Sequence, residues 1–536
     1  LKTGLPVSEE SAEVIPLPPC GQAQDLASSV TIRRRYLWHA TLLLICIAAF
    51  FLAGLLSLGI FERIPHVEDE AAYLFQAQVF AQGRLSVPTP PSPESYWSPF
   101  VLDYEGQRFS KYPPGYSLLL SLGVRADEQW IVNALLGSLA LWFIAQLGRT
   151  IYSPTTGLLA AALGLTCPVF LAESASLLSH PTSLFFTTLF LWSFARLIQR
   201  PTDNPRRFAV VAGLALGYLV ITRPYDAIGV GLPFALYGLA RALHGDRALL
   251  HHGMLAVAVT LLFSLMLPAY WYWLTGDFAN PYRFVWPYDR PGFGPDVGLE
   301  GYDLATGLSY ARLNLRALST GFLGWPGYLN VFFLWLPFVL RPRDRWNYLL
   351  LAGFISLVGL HVTYWYYGGR DAGFPRYYYA ALPTLLLLTA RGIETVTAAL
   401  RRLSVGVHLP LGKAASGIRL SWGKPPLYLA LIALVLYNGL VFLPVQLRAF
   451  QGKSGITAAP LRVVQDAGIT NAVVFVAGYE HWYDFAVFFA ANSPTLDSDV
   501  VYAIYRNEQQ ARAVKDLYPN RYCYVQNHNR LRACSF

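Results

Sequence analysis

The sequence predicts a polytopic α-helical membrane protein of about eleven transmembrane helices with a small extracytoplasmic α/β domain at its C-terminal end. Three observations predict it. Of 536 residues, 54% are hydrophobic and only 14% are charged, against roughly 25% charged in soluble domains. A first apolar run, residues 36–60, is long enough to cross a bilayer, which needs about 20 apolar residues. The basic residues fall in short clusters between apolar runs, which marks topology. The formal charge of +9, from 41 basic and 32 acidic residues, therefore implies no nucleic-acid partner.

Residues 1–35 are rich in Pro, Ser and Glu without periodicity, and read as a disordered cytoplasmic tail. The run that follows is too long for a signal-peptide core and is expected to be an uncleaved first span. A polar outer loop, 61–125, comes next. Further spans are expected near 128–148, 155–173, 180–198, 208–222, 226–243 and 253–274, then a second outer loop at 276–325, then spans near 327–341, 347–366, 377–391 and 426–444. The membrane domain is thus 36–445. Arg33 to Arg35, Arg206 and Arg207, Arg241 and Arg247, RPRDR at 341–345, and the stretch from Arg391 to Lys424 with Arg401, Arg402, Lys413 and Arg419 are expected on the cytoplasmic side. An odd number of crossings then places residues 446–536 outside. There AVVFVA, DVVYAIYR, NEQQARAVKDL and RYCYV alternate strand and helix patterns. Cys523 and Cys534 in this segment form either a hairpin disulfide or two unpaired thiols, and spacing leaves both open.

Residues 66–73 read HVEDEAAY, with Glu68, Asp69 and Glu70 consecutive just beyond an oily helix. Ala72, Phe75 and Val79 then share one helical face and Gly83 offers a stop, predicting a short amphipathic helix on the outer membrane surface. Asp69 at its start would serve as an N-cap. That explains one acid of three. Downstream, FSKYPPGY places Lys111 ahead of a Pro-Pro-Gly element, where X-Pro geometry disfavours helix and aims the ammonium at the interface. A cation there suits a lipid-linked phosphate, and plain snorkelling explains it too.

A first span, a DE pair opening a surface helix and a Lys-(Tyr)-Pro-Pro-Gly element resemble the membrane glycosyltransferases of GT-C fold, in particular the group of protein O-mannosyltransferases and lipid A aminoarabinose transferases. The resemblance covers residues 36–445 in architecture. It implies that Asp69 is the catalytic acid residue, with Glu70 as second candidate, and that Lys111 contacts the lipid phosphate. ESASLLSHPTSLFFTTLFLW, TRPYD and GGRDAGFPRYYYAALP resemble further outer-face elements. They imply that His180, Arg223 and Arg376 help bind donor phosphate or sugar. Relatives often carry Asp where His180 stands. Arg312 and Arg316, on one helical face of the second outer loop, suit either a gate to the acceptor or an interface helix.

The implied activity is inverting transfer of a sugar from a polyprenyl-phosphate donor to an acceptor outside the cytoplasmic membrane. The acceptor stays open, membrane lipids surround the chain, and no cofactor is implied. His66 with the three acids suggests a hard metal ion, but ligands adjacent on a helix cannot face one ion, so no metal is assigned. The competing class, a transporter or flippase of a lipid-linked saccharide, calls for inverted repeats and polar residues at mid-membrane. Here the polar residues gather in outer loops and at span ends. A third class, a sensor, would act through residues 450–536.

Overall fold

The computed structural model describes residues 20–199, 204–341, 343–371, 374–403, 425–527 and 530–535. Residues 1–19 of the expected tail, and the basic positions Lys413 and Arg419, lie outside the described residues. Helix α1 (Cys20–Gly59) opens within the stretch expected to be disordered. The acidic helix α2 (Glu68–Ala81) follows, then a three-stranded antiparallel sheet of β1 (Val87–Pro88), β2 (Val101–Tyr104) and β3 (Gln107–Ser110). Pro114 starts α3 (Pro114–Arg125), where a missing N–H costs nothing.

The helical bundle comprises α4 (Trp130–Ile151), α5 (Pro154–Thr166), α6 (Pro168–Ala175), α7 (His180–Ile198), α8 (Pro205–Val220), α9 (Pro224–Leu243), α10 (Arg247–Ser264) and α11 (Met266–Thr275). After the one-turn α12 (Tyr282–Val285) and an irregular loop come α13 (Leu304–Gly321), α14 (Leu329–Leu340), α15 (Arg345–His361), a short hairpin of β4 (Arg370–Asp371) and β5 (Phe374–Pro375), and α16 (Leu382–Leu403). A last apolar helix runs from α17 (Pro425–Tyr437) through a π turn into α18 (Leu443–Phe450).

Each of the eleven expected spans falls on helix, but six stretches among the described residues are long and apolar enough to cross a membrane unaided: Arg33–Gly59, Trp130–Ile151, His180–Ile198, Pro224–Leu243, Arg247–Thr275 and Pro426–Gly455. The pair α5 and α6, bent by 64° at Cys167, would make a seventh. The others fall short for physical reasons. At 1.5 Å per residue, the 12 residues of α14 and 16 of α8 are too short, and α16 carries Arg391 and Glu394 within its length.

The C-terminal segment adds α19 (Ala459–Asp466), β6 (Ala472–Val476), α20 (Ala486–Ala491), β7 (Val500–Ile504), α21 (Glu508–Asp516), β8 (Tyr522–Asn527) and β9 (Arg530–Ala533). Its sheet order is β7-β6-β8-β9, with β6 parallel to both neighbours and β9 antiparallel. Cys523 and Cys534 are disulfide-bonded across the β8–β9 hairpin, with Cα atoms 5.4 Å apart. Strand alternation divides β6 between two layers. Val473 and Phe475 pack with Ala511 and Val514 of α21, while Val474 and Val476 share a cluster with Ala71, Ala72, Phe75 and Val79 of α2. The apolar face that the sequence directs at a membrane surface is thus covered by protein. α2 is a buried helix between the C-terminal sheet and the bundle.

Candidate active site

Helix α2 begins at Val67, whose extended backbone (φ −139°, ψ 158°) makes it the N-cap. Asp69 lies inside the first turn and does not cap the helix. Capping falls to Glu70, whose Oε2 accepts from the backbone N–H groups of His66 (2.6 Å) and Val67 (3.3 Å). Its Oε1 accepts from Leu177 N at 2.8 Å. Burial pushes this carboxyl, 2% exposed, up to about 7, with the charge of Glu173 adding to the shift and the His66 and Leu177 amides opposing it. Glu68 accepts from the indole Nε1 of Trp482 at 2.9 Å. Among the described residues no three His, Cys, Asp or Glu side chains converge as a metal site.

Asp69 alone of the three faces the other candidate residues. Its Oδ1 accepts a hydrogen bond from the Tyr112 hydroxyl. Burial would raise the Asp69 carboxyl. The charge of Arg376, the Tyr112 hydroxyl and the charges of Lys111 and His180 outweigh burial and hold it below the usual aspartate range. The group there is an ionised carboxylate.

Lys111 does not snorkel. Its Nζ sits 3.8 Å from the ring centroids of both Phe100 and Tyr282, 5.1 Å from that of Tyr112, and 3.4 Å from Asp289 Oδ2. Asp289, in the loop before α13, is itself held at Oδ1 by the Tyr364 hydroxyl (2.7 Å) and Trp365 Nε1 (2.9 Å). Burial lowers the Lys111 ammonium from its ordinary value, against the pull of Asp289 and Asp69. The Pro-Pro-Gly that follows has a packing purpose. Gly115 N donates to Ile221 O (2.8 Å), and a Cβ at this position would stand 2.4 Å from Thr222 Oγ1. This close approach ties the Lys111 loop to the end of α8, next to Arg223.

Arg223 donates from Nε to Asp226 Oδ2 (2.7 Å) and from a terminal nitrogen to Ser179 Oγ (3.3 Å), the same hydroxyl that bonds Tyr73 at 3.0 Å. Arg376 follows β5 and donates from Nε to Gly368 O at 2.9 Å. Gly369 has φ +71°, and a side chain there would meet the guanidinium at 2.7 Å, so glycine is needed on both counts. The charges of Arg223, Arg376 and Asp69 all reach the half-buried Tyr377 phenol. His180 is 4% exposed and places Nδ1 3.1 Å from Glu173 Oε2, behind the cluster. Arg312 and Arg316 are exposed on α13. Asp69, Lys111, Arg223 and Arg376 therefore gather in one place, Glu70 is taken up by backbone amides, and His180, paired with Glu173, reaches Asp69 with its charge. Tyr112 and Asp289 carry no role in the sequence reading. Tyr112 was visible within the Lys-Tyr-Pro-Pro motif, whereas Asp289 sits in a loop with no periodic signal.

The helical fold agrees with the GT-C architecture that the sequence resemblance implies. The chain superposes on ArnT from Cupriavidus metallidurans bound to undecaprenyl phosphate with a TM-score of 0.53 at 15% identity, over 91% of this chain and 93% of that one. The apo state of the same protein gives 0.54 at 15% identity, over 92% and 93%. The oligosaccharyltransferase of Archaeoglobus fulgidus tethered with an acceptor peptide gives 0.51 at 15% identity, over 89% of this chain and 64% of that one. Residues 113–273, which include His180 and Arg223, match the family described as dolichyl-phosphate-mannose-protein mannosyltransferase. No curated protein matches the chain.

Proposed function

We propose that the chain is an inverting glycosyltransferase that moves a sugar from a polyprenyl-phosphate donor to an acceptor on the extracytoplasmic side of the membrane. The observation that carries this reading is the joining of an ionised carboxylate, Asp69, to a caged ammonium, Lys111, through one residue, Tyr112. Asp69 takes the proton of the acceptor hydroxyl as its oxygen attacks the anomeric carbon. The bond from that carbon to the phosphate oxygen breaks, and the electron pair leaves with the lipid phosphate. Lys111, Arg223 and Arg376 stabilise the charge that develops there. Glu70 is assigned to capping, because backbone amides occupy both its oxygens.

Connectivity supports this sidedness. The Lys111 loop and the C-terminal sheet pack around α2, Tyr282 packs with Phe80 of α2, and Asp289 pairs with Lys111, so they share one side. Arg223 joins α8 to α9 at the site, which sets Arg206, Arg207 and Arg241 at the far ends of those helices, about 25–30 Å away. Basic residues on that far side support its being cytoplasmic. A multi-pass protein with cytoplasmic N-terminus and residues 446–536 outside satisfies both. Release of undecaprenyl phosphate from a panel of its monosaccharide esters tests the reading in purified protein. Asp69→Asn is expected to lose about a hundred- to ten-thousandfold in rate while still binding the lipid phosphate, and Lys111→Ala to lose binding. Native-rate transfer by Asp69→Asn would overturn the assignment of the base.

A further inference from the structure

Tyr112 touches both arms of the site. Its hydroxyl donates to Asp69 Oδ1 and its ring forms one wall of the Lys111 cage. The ring is stacked on Tyr73 with centroids 4.3 Å apart at 29°, and meets Phe100 edge-on at 5.9 Å. Its backbone N–H is held by Ser110 Oγ at 3.3 Å, and Pro113 after it confines its backbone to extended geometry. Stacked, tethered and followed by proline, the phenol has one direction in which to point.

We propose that Tyr112 is a positioning residue for the Asp69 carboxylate, fixing its rotation through Oδ1, while its ring keeps the Lys111 ammonium in register with it. This deepens the glycosyl-transfer reading and rests on it for what the base and the cation do. The groups facing Asp69 are Arg376 from the β5 end, Lys111 from the Tyr112 loop and His180 from the start of α7. The phenols of Tyr73, Tyr377, Tyr366 and Tyr282 also lie within range of its charge. In the acid range these phenols stay neutral, since burial raises them. The Tyr112 hydrogen bond is the local contribution to Asp69 ionisation that one substitution removes cleanly.

Infrared difference spectra of the full-length protein, titrated through the acid range, isolate the Asp69 carboxylate as the band missing in Asp69→Asn. Tyr112→Phe keeps the ring and its stacking. Its Asp69 midpoint is expected to rise by about one pH unit, as loss of a hydrogen bond to a charged group implies. Tyr73→Phe, which loses only the Ser179 bond, is expected to leave the midpoint in place. An unmoved midpoint in Tyr112→Phe, or an equal shift in Tyr73→Phe, would sink the inference. In transfer assays, the acid limb of the rate profile is expected to move with the midpoint while KM for the lipid donor holds. If the native protein used no donor in the panel, the glycosyltransferase reading would fail and the spectra would still decide the role of Tyr112.

Discussion

At Glu68, Asp69 and Glu70 the backbone turns by about 100° per residue, so neighbours in sequence are sent to separate partners: Trp482, Tyr112 and the amides of His66, Val67 and Leu177. The sequence showed that acids were concentrated here and that one of them answered Lys111. It could not show which acid capped the helix, because that depends on where the first turn begins, a matter of a single residue. Glu70→Gln separates capping from catalysis. An amide nitrogen would face at least one of three backbone donors, so stability is expected to fall by about 1–3 kcal/mol, read as a lower melting temperature. Asp69→Asn is expected to melt close to the native protein. Because burial raises the Glu70 carboxyl to about 7, the native state holds this proton more tightly than the unfolded chain. Its contribution is therefore complete in acid and is lost as pH rises through that value. Melting temperature is expected to decline from about pH 5 to about pH 8 in the native protein, and Glu70→Gln is expected to lack this component.

Among the elements, helices were the legible part, since each apolar run of the sequence fell on helix, although 155–173 and 253–274 are each divided between two. Their lengths were less so, because a helix packed within a bundle need not span the bilayer alone, as α8 and α14 show. Contacts between loops left no sequence signal at all. Nothing in the spacing of Gly115 and Thr222 foretells that they touch, yet their closeness holds the Lys111 loop against the Arg223 turn. Gly115→Val puts branched carbon where Thr222 Oγ1 and Ile221 O already stand. Overpacking of this kind costs about 1–3 kcal/mol, and the loop is the part free to give way. The expected outcome is a folded protein, by circular dichroism, with weakened lipid-phosphate binding.

For the whole molecule, the resemblance to GT-C enzymes was readable from the first loop, and the fold agrees with it. The C-terminal strands were also readable as strands. Their place was not, because an apolar face such as Ala72, Phe75 and Val79 suits a membrane and a protein sheet equally. The structure brings residues from both ends of the chain into one cluster. Besides the Trp482 indole on Glu68, Gln78 bonds Ala490 O at 3.1 Å and the Arg462 guanidinium pairs with Glu62. Trp482→Ala removes a side chain buried in that cluster. Transfer rate is expected to drop several-fold, with lipid-phosphate binding at Lys111 less affected. Equal loss of both would show that the sheet supports the whole site and not α2 in particular.

The joining of α2 to the far end of the chain also sets a clock. Glu68 and Trp482 are 414 residues apart, and a ribosome adding about 5–20 residues each second needs roughly 20–80 seconds to travel from one to the other. Through that interval the helix bearing Asp69 has been made but lacks the sheet that covers it. In a nascent chain the face of α2 carrying Ala71, Ala72, Phe75 and Val79 therefore stays uncovered until the last strands have emerged and folded.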